Sequence, residues 1–182
     1  QELETDPAQI AHLVERMNSS GLGDVLAATV GGIELRTQPG APPSPGRATS
    51  FSSDAEVLLC WDSDFKRHTS TYIDDPQWKV AISEAGEDSV SRLSVGEWNH
   101  SRWQQLLDEA EIFAEAAGLM DELDRSTLIE RVKKQIPTGH RVLPCMLGTS
   151  VCVLTNDFSS PLADIDEVLL ASGIECLRTR IN

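Results

Sequence analysis

The pattern of apolar positions is clearest in the last forty residues, from residue 141 to residue 180. Residues 142–147 and 151–154 are short apolar runs that contain Val, and runs of this length predict buried strands. A helix is predicted to begin at Ser160-Pro161, because serine caps a helix and proline fits its first position. With residues 174–180 as a closing strand, the pattern predicts a strand-helix-strand unit whose strands are parallel.

The rest of the chain alternates between helical and strand-like patterns. Asp6 as a cap, Pro7 at the first helical position and an apolar stripe predict a first helix over residues 5–19. Further strands are predicted over residues 56–61, 78–83 and 90–95, and further helices over residues 101–117 and 126–136. The sequence therefore predicts an α/β fold, with a mixed central sheet flanked by helices and the strand-helix-strand unit at the C-terminal end.

A proline-rich segment interrupts these patterns. Residues 38–53 contain four prolines with glycines and serines, and this composition predicts a long exposed loop because proline neither continues a helix nor donates to a strand. No internal repeat is present, and 182 residues suit one folded unit. We therefore expect a single α/β domain over residues 1–182 with a loop at 38–53.

The charge and the cysteines restrict the classes of partner. Twenty-nine acidic and 15 basic residues give a formal net charge of −14, which disfavours binding to duplex nucleic acid. The sequence has no apolar run long enough to span a membrane and no signal-like pattern over residues 1–30, so we expect a cytoplasmic protein without membrane contact. The four cysteines lie in apolar runs without C-x-x-C spacing, which predicts buried reduced thiols instead of a zinc site.

A pair of carboxylates follows the predicted strand over residues 56–61. Asp62 and Asp64 stand at positions i and i+2 beyond its end, where two carboxylates can share a divalent cation. This Asp-x-Asp resembles the first motif of the haloacid-dehalogenase-like phosphotransferases, and residues 151–156 resemble their second motif. The resemblance implies phosphoryl transfer with Asp62 and Asp64 at the metal, although Phe65 departs from the family pattern. The alternative is a solvated turn at the end of the strand.

A second resemblance extends over residues 54–180. The restriction-endonuclease-like nucleases of the Mrr type place an acid near one strand and an acid-x-Lys on the next, and Gln77-x-Lys79 resembles the second element here, with Asp54 or Asp62 as the first. The resemblance implies a metal-dependent nuclease, active or degenerate, in which carboxylates hold Mg²⁺ and Lys79 orients the attacking water. It also implies a role in DNA processing or in a defence system. Gln77 in place of the acid weakens the expected metal site.

Two further side chains are candidates for binding. Trp98 stands between polar residues, which predicts partial exposure, and exposed tryptophan is enriched where proteins meet. His68 lies in a polar stretch beside Lys66 and Arg67, whose positive charge suits an anion. Each has a structural alternative, with Trp98 at the edge of the core and His68 in a solvated loop.

The sequence contains no strong catalytic constellation. This favours an accessory or regulatory α/β domain that acts through protein–protein contacts and needs no cofactor. The alternative is the restriction-endonuclease-like nuclease, with Asp54, Asp62, Gln77 and Lys79 as its site and Mg²⁺ as its cofactor. Whether the protein is an enzyme stays open at this point.

Overall fold

The structure is a computed structural model that describes residues 6–18, 23–40, 46–65, 72 and 74–181. Its elements are, in chain order, α1 (Pro7–Met17), α2 (Asp24–Val30), β1 (Ile33–Gln38), β2 (Arg47–Phe51), β3 (Glu56–Trp61), α3 (Pro76–Leu93), α4 (Trp103–Ala116), α5 (Leu123–Lys133), β4 (His140–Pro144), β5 (Val151–Thr155), α6 (Asp166–Ala171) and β6 (Glu175–Arg180). Short 3₁₀ helices precede α4 and α5. Within the described ranges, no helix combines the length and the apolarity needed to cross a bilayer.

A four-stranded sheet lies at the centre, with strand order β4-β5-β3-β6. Its recorded pairings are antiparallel, so β5 and β6 run in the same direction with β3 inserted between them. The predicted strand-helix-strand unit is therefore present in chain order, although its two strands are not neighbours. Its helix begins at Asp166 and not near Ser160, because the Glu56 carboxylate accepts a hydrogen bond from the backbone N–H of Leu162 at 3.1 Å and holds residues 161–165 against the sheet.

Helices cover both faces of this sheet. On one face, α5 and α6 bury Leu128 and Leu169 against Leu58 of the central strand. On the other face, α4 buries Leu107 against Leu154, and α3 packs on the outer side of α4. Since alternate residues of a strand point to opposite faces, one sheet supplies apolar side chains to both layers. The predicted α/β fold, with helices flanking a central sheet, is confirmed.

A separate two-stranded hairpin is formed by β1 and β2, with Leu35 opposite Thr49. The predicted loop over residues 38–53 is thus partly wrong, because residues 47–51 pair as a strand; three of its four prolines lie at 41–45, outside the described residues. Gly46 has φ 75°, and a Cβ there would lie 2.2 Å from the carbonyl oxygen of Gln38, so only glycine fits where the hairpin narrows.

Helix α3 occupies the region where two strands were predicted. Residues 78–83 lie within this helix, and residues 90–95 form its last turn and the segment that follows. The carboxylate of Asp75 caps the helix by accepting hydrogen bonds from the backbone N–H groups of Gln77 at 2.7 Å and Trp78 at 3.3 Å. The alternation of apolar residues resembles the pattern of a strand. It arises here in a surface helix, which buries only part of its circumference, through Ala85, Ser89 and Leu93.

Candidate functional site

A cavity of about 960 Å³ opens between α3, the start of α2 and the turn that joins β4 to β5. Helix α3 contributes Lys79, Ile82, Ser83 and Gly86, whose spacing places them along one face of the helix. Gly86 has no side chain to fill the space in front of Phe113, which closes the cavity from α4. Clefts of this size with few polar groups are typical small-molecule sites.

Asp24 contributes a carboxylate to this cavity at the first position of α2. Its surroundings are fixed by Arg36, whose guanidinium donates hydrogen bonds of 3.0 Å to the carbonyl of Gly23 and 3.0 Å to the carboxylate of Glu34. Arg36 also lines the cavity, so strand β1 supports both the backbone before Asp24 and a positive charge beside it. A carboxylate held in a concave site can accept a proton from a bound hydroxyl group.

The opposite wall is the turn between β4 and β5. The backbone N–H of Gly148 donates to the carbonyl of Cys145 at 3.1 Å, and the N–H of Cys145 donates to the carbonyl of Ser150 at 2.9 Å. Met146 has φ 43°, a left-handed conformation that costs a non-glycine residue about 1–2 kcal/mol. A strained backbone conformation of this kind persists only where the surrounding contacts hold it in place.

Arg125 supplies such contacts from α5. Its side chain is 1% exposed, and it donates hydrogen bonds to the carbonyl of Gly148 at 2.8 and 3.3 Å and to the hydroxyl of Tyr72 at 3.2 Å. It also donates to the carboxylate of Glu122 and to the carbonyl of Leu119, each at 2.6 Å. Since Tyr72 and Gly148 both line the cavity, this buried network ties two walls of the site to α5.

The thiol of Cys145 also faces the cavity. Hydrogen bonds from Cys152, chiefly, and from Ser150 lower the pKa of Cys145 to about 7, whereas burial raises the pKa of Cys60 to about 12. Both thiols are free, as are those of Cys152 and Cys176. Cys145 is therefore the more readily ionised of these two thiols.

The Asp-x-Asp pair lies away from this cavity lining and has structural partners. Asp62 forms an ion pair with Arg131, and its carboxylate accepts a hydrogen bond from the backbone N–H of Asp64 at 3.1 Å. The hydrogen bond from Arg131 lowers the pKa of Asp62. Among the described residues, no three His, Cys, Asp or Glu side chains converge as metal ligands. Asp62 and Asp64 thus lie directly after β3, and their role at a metal stays a prediction.

The residues of the nuclease hypothesis do not form the strand arrangement it requires. Gln77 and Lys79 lie in the first turns of α3, not in a strand, and Lys79 belongs to the cavity lining. Asp54 precedes β3 and is exposed, and Asp62 follows the same strand. The helix thus removes the acid-x-Lys strand on which the resemblance depended.

Trp98 has a structural role at the edge of the core. Its indole N–H donates to the carbonyl of Ile33 at 2.8 Å, and its ring packs edge-to-face on Phe51 with centroids 5.6 Å apart. His68 lies outside the described residues.

Several residues of the cavity were missed in the sequence analysis. Asp24 and Arg36 fall in residues 24–37, whose pattern is ambiguous, with possible short strands at 25–26 and 33–35. The second possibility lies within β1, whereas α2 was not recognised, although glycines at 23, 31 and 32 mark turns on both sides of it. Gly148 lies between two strands that were recognised, where a glycine predicts a turn but not a ligand site.

The fold of this chain is shared with a solved structure. A solved structure described as a phosphotransferase related to CoA biosynthesis pathway superposes on 96% of this chain with a TM-score of 0.68 and 24% sequence identity, and the match covers 53% of that structure's chain. No protein-family model matches the sequence.

The sequence is also similar to that of a known kinase. The chain is 27% identical over 150 residues to the pantoate kinase of Thermococcus kodakarensis, a match that covers 82% of this chain and 47% of the relative. The chain thus spans about half the length of each of these two proteins.

These similarities correct the functional hypotheses drawn from the sequence. They are to a kinase and to a phosphotransferase, so the restriction-endonuclease-like assignment is wrong, together with the roles in DNA processing and defence. The prediction of a non-catalytic accessory domain is also wrong, because the similarity is to enzymes. The predicted protein partner and the absence of a cofactor remain predictions.

Proposed function

We propose that this chain forms the acceptor-binding part of a phosphotransferase that transfers a phosphoryl group to a hydroxyl of pantoate. The observation that carries the proposal is the cavity beside Asp24, found in a chain that is similar to a pantoate kinase over 82% of its length. Pantoate is a small hydroxy acid with an apolar centre, and the cavity offers both polar and apolar walls for such a molecule.

Asp24 is the proposed proton acceptor. A kinase aligns the attacking hydroxyl with the phosphoryl group, and a carboxylate beside that hydroxyl takes its proton as the new P–O bond forms. Arg36 supports this role, because its hydrogen bond to the carbonyl of Gly23 holds the residue before Asp24. The positive charge of Arg36, which also lines the cavity, is proposed to stabilise the negative charge of the phosphoryl group during the transfer.

The turn between β4 and β5 is proposed to shape the acceptor pocket. Met146 and Leu147 face the cavity from this turn, and Ile82 and Phe113 face it from the helices. These side chains suit the apolar centre of pantoate and exclude water from the reacting hydroxyl.

Binding of pantoate is the first test, because the chain spans about half the length of its relative. Isothermal titration calorimetry with the purified chain should give saturable binding of pantoate, with succinate as a control acid that has no hydroxyl. Incubation with pantoate and γ-labelled Mg²⁺-ATP then tests transfer. Binding with transfer supports the whole reaction, and binding without transfer supports only the acceptor part. Absence of saturable pantoate binding overturns the proposal.

A further inference from the structure

Among the residues that the structure describes, three charged side chains line the cavity, and they differ in their partners. Arg36 is engaged by Glu34 and by the carbonyl of Gly23, and Asp24 carries the negative charge. The ammonium group of Lys79, by contrast, has no hydrogen-bond or ion-pair partner in the part of the chain that the structure describes. Lys79 therefore brings to the cavity wall a positive charge that forms no ion pair with a described residue.

The position of Lys79 makes this charge available to a bound molecule. Lys79 is exposed and lies on the same face of α3 as Ile82, Ser83 and Gly86, which all line the cavity. The exposed ammonium group retains its water contacts until a ligand replaces them, and a flexible four-carbon side chain can follow the ligand.

The negative net charge of the chain disfavours binding of an acidic substrate unless a positively charged side chain lies at the site. A formal charge of −14 repels small anions on average. The walls of the cavity around Lys79 include the apolar Ile82, Phe113 and Leu147. The cavity thus suits a molecule with an apolar body, a hydroxyl near Asp24 and one anionic end near Lys79.

We infer that Lys79 binds the carboxylate of the acceptor substrate and thereby selects a hydroxy acid over the corresponding neutral alcohol, amide or lactone. This inference rests on the proposed function and assigns the anion-binding residue within the same site. A charge-assisted hydrogen bond between an ammonium group and a carboxylate is among the stronger polar contacts in proteins, and a neutral ligand cannot form it.

The test compares pantoate with its primary amide, which keeps the hydroxyls and the apolar centre but carries no charge. Calorimetry measures the Kd of each ligand for the unchanged chain, for Lys79→Met and for Lys79→Arg. Lys134→Met is the matched control, because Lys134 is another exposed lysine and lies outside the cavity lining. Circular dichroism melts of the four proteins check that the substitutions leave the fold intact.

We expect Lys79→Met to weaken pantoate binding by about 10- to 100-fold, the range for loss of a hydrogen bond between charged groups. Binding of the amide should stay within about threefold, and Lys79→Arg should restore most of the preference for the acid. The same titrations with Mg²⁺-ATP should be unchanged by Lys79→Met.

Other results overturn the inference in distinguishable ways. Unchanged pantoate binding by Lys79→Met, or equal weakening of acid and amide, removes the assignment of Lys79 but leaves the proposed function standing. Weakened ATP binding with unchanged pantoate binding assigns Lys79 to the phosphate groups of the donor instead. If the unchanged chain binds neither pantoate nor its amide, the proposed function itself fails and the inference fails with it.

Discussion

The guanidinium group of Arg125 donates two hydrogen bonds, of 2.8 and 3.3 Å, to the carbonyl oxygen of Gly148. Gly148 ends the turn in which Met146 adopts its left-handed conformation, so a side chain buried in α5 fixes the backbone of the cavity wall. The same guanidinium group reaches Tyr72 on a second wall.

Replacement of Arg125 should therefore affect stability strongly. Arg125→Met removes the buried positive charge that pairs with Glu122 and the donor to the carbonyl of Gly148, and we expect a loss of about 3–5 kcal/mol in the free energy of unfolding. Urea denaturation followed by circular dichroism measures this loss. Arg180→Met serves as the control, because Arg180 is 60% exposed in its pair with Glu56 and should cost less than about 1 kcal/mol. Equal losses of unfolding free energy for both substitutions would contradict the claim that the burial of Arg125 makes its contacts more stabilising than those of Arg180.

Replacement of Asp24 should affect chemistry without affecting the fold. Asp24→Asn keeps the shape of the side chain but removes the proton acceptor, so we expect phosphoryl transfer to pantoate to fall by about 10²- to 10⁴-fold in kcat. The Kd for pantoate should stay within about threefold. Release of ADP measures the transfer, and Asp54→Asn, outside the cavity lining, should retain full activity. A loss of affinity in Asp24→Asn that equals the loss of rate would assign Asp24 to binding alone.

Gly86 allows the volume of the cavity to be varied by side-chain size. A Cβ at this position would lie 3.8 Å from Cε2 of Phe113, an ordinary contact distance, so Gly86→Ala should fit. It should also stabilise α3 by about 0.5–1 kcal/mol, because alanine favours helices over glycine. Gly86→Leu should project into the cavity and weaken pantoate binding by at least tenfold. Calorimetry and thermal melts of the two variants separate these effects, and equal affinity in both would place the ligand elsewhere.

Cys145 should be the most reactive thiol of the native chain. The hydrogen bond from Cys152 lowers the pKa of Cys145 and favours its thiolate, so the rate of alkylation by iodoacetamide should level off at a lower pH than for an ordinary thiol. Cys60 is fully buried, with a pKa raised to about 12, and should not react before unfolding. Mass spectrometry of tryptic peptides identifies the labelled residue, and Cys145→Ser removes the fast phase. Saturating pantoate should slow the labelling, since Cys145 lines the proposed acceptor site.

The ion pair of Arg92 and Glu109 should make the stability of the α3–α4 contact depend on pH. Arg92 donates to the Glu109 carboxylate at 2.8 Å, and this hydrogen bond lowers the pKa of Glu109 below its ordinary 4.5. A lowered folded-state pKa stabilises the protein fully above pH 4.5, and the stabilisation is lost as the pH falls through the folded-state value. Glu109→Gln should therefore lower the free energy of unfolding at pH 7 and lower it less at pH 3. Urea denaturation at both pH values measures the difference, and Glu115→Gln, at an exposed position of the same helix, should show no such dependence.

The sequence predicted the α/β architecture because apolar runs such as residues 151–154 are short, buried and bounded by turn residues. It failed at α3, although Asp75-Pro76 carries the same cap and first-turn proline that correctly predicted α1 at Asp6-Pro7. The alternation of apolar residues around Lys79 favours a strand, whereas the Asp75 cap favours a helix. A cap fixes backbone hydrogen bonds directly, whereas a period of two over six residues also arises on a partly buried helix.

The candidate site was harder to predict than the fold. Asp24, Arg36 and Lys79 come from three separate elements, and the chain brings them together only through the packing of α3 beside the β1–β2 hairpin. No spacing in the sequence predicts that these three residues lie close together. Asp62 and Asp64 are conspicuous because they stand two positions apart in the sequence, yet Asp62 forms an ion pair with Arg131.

The insertion of β3 between β5 and β6 has a consequence for how the chain acquires its structure. Glu56 of β3 and Arg178 of β6 contact each other across 122 positions of sequence, so the central strand gains its second neighbour only when residues 175–180 are available. Contacts this distant slow folding, because the chain loses loop entropy before they form. Until then β3 presents an unpaired apolar edge, and a nascent or C-terminally shortened chain is exposed to aggregation along that strand.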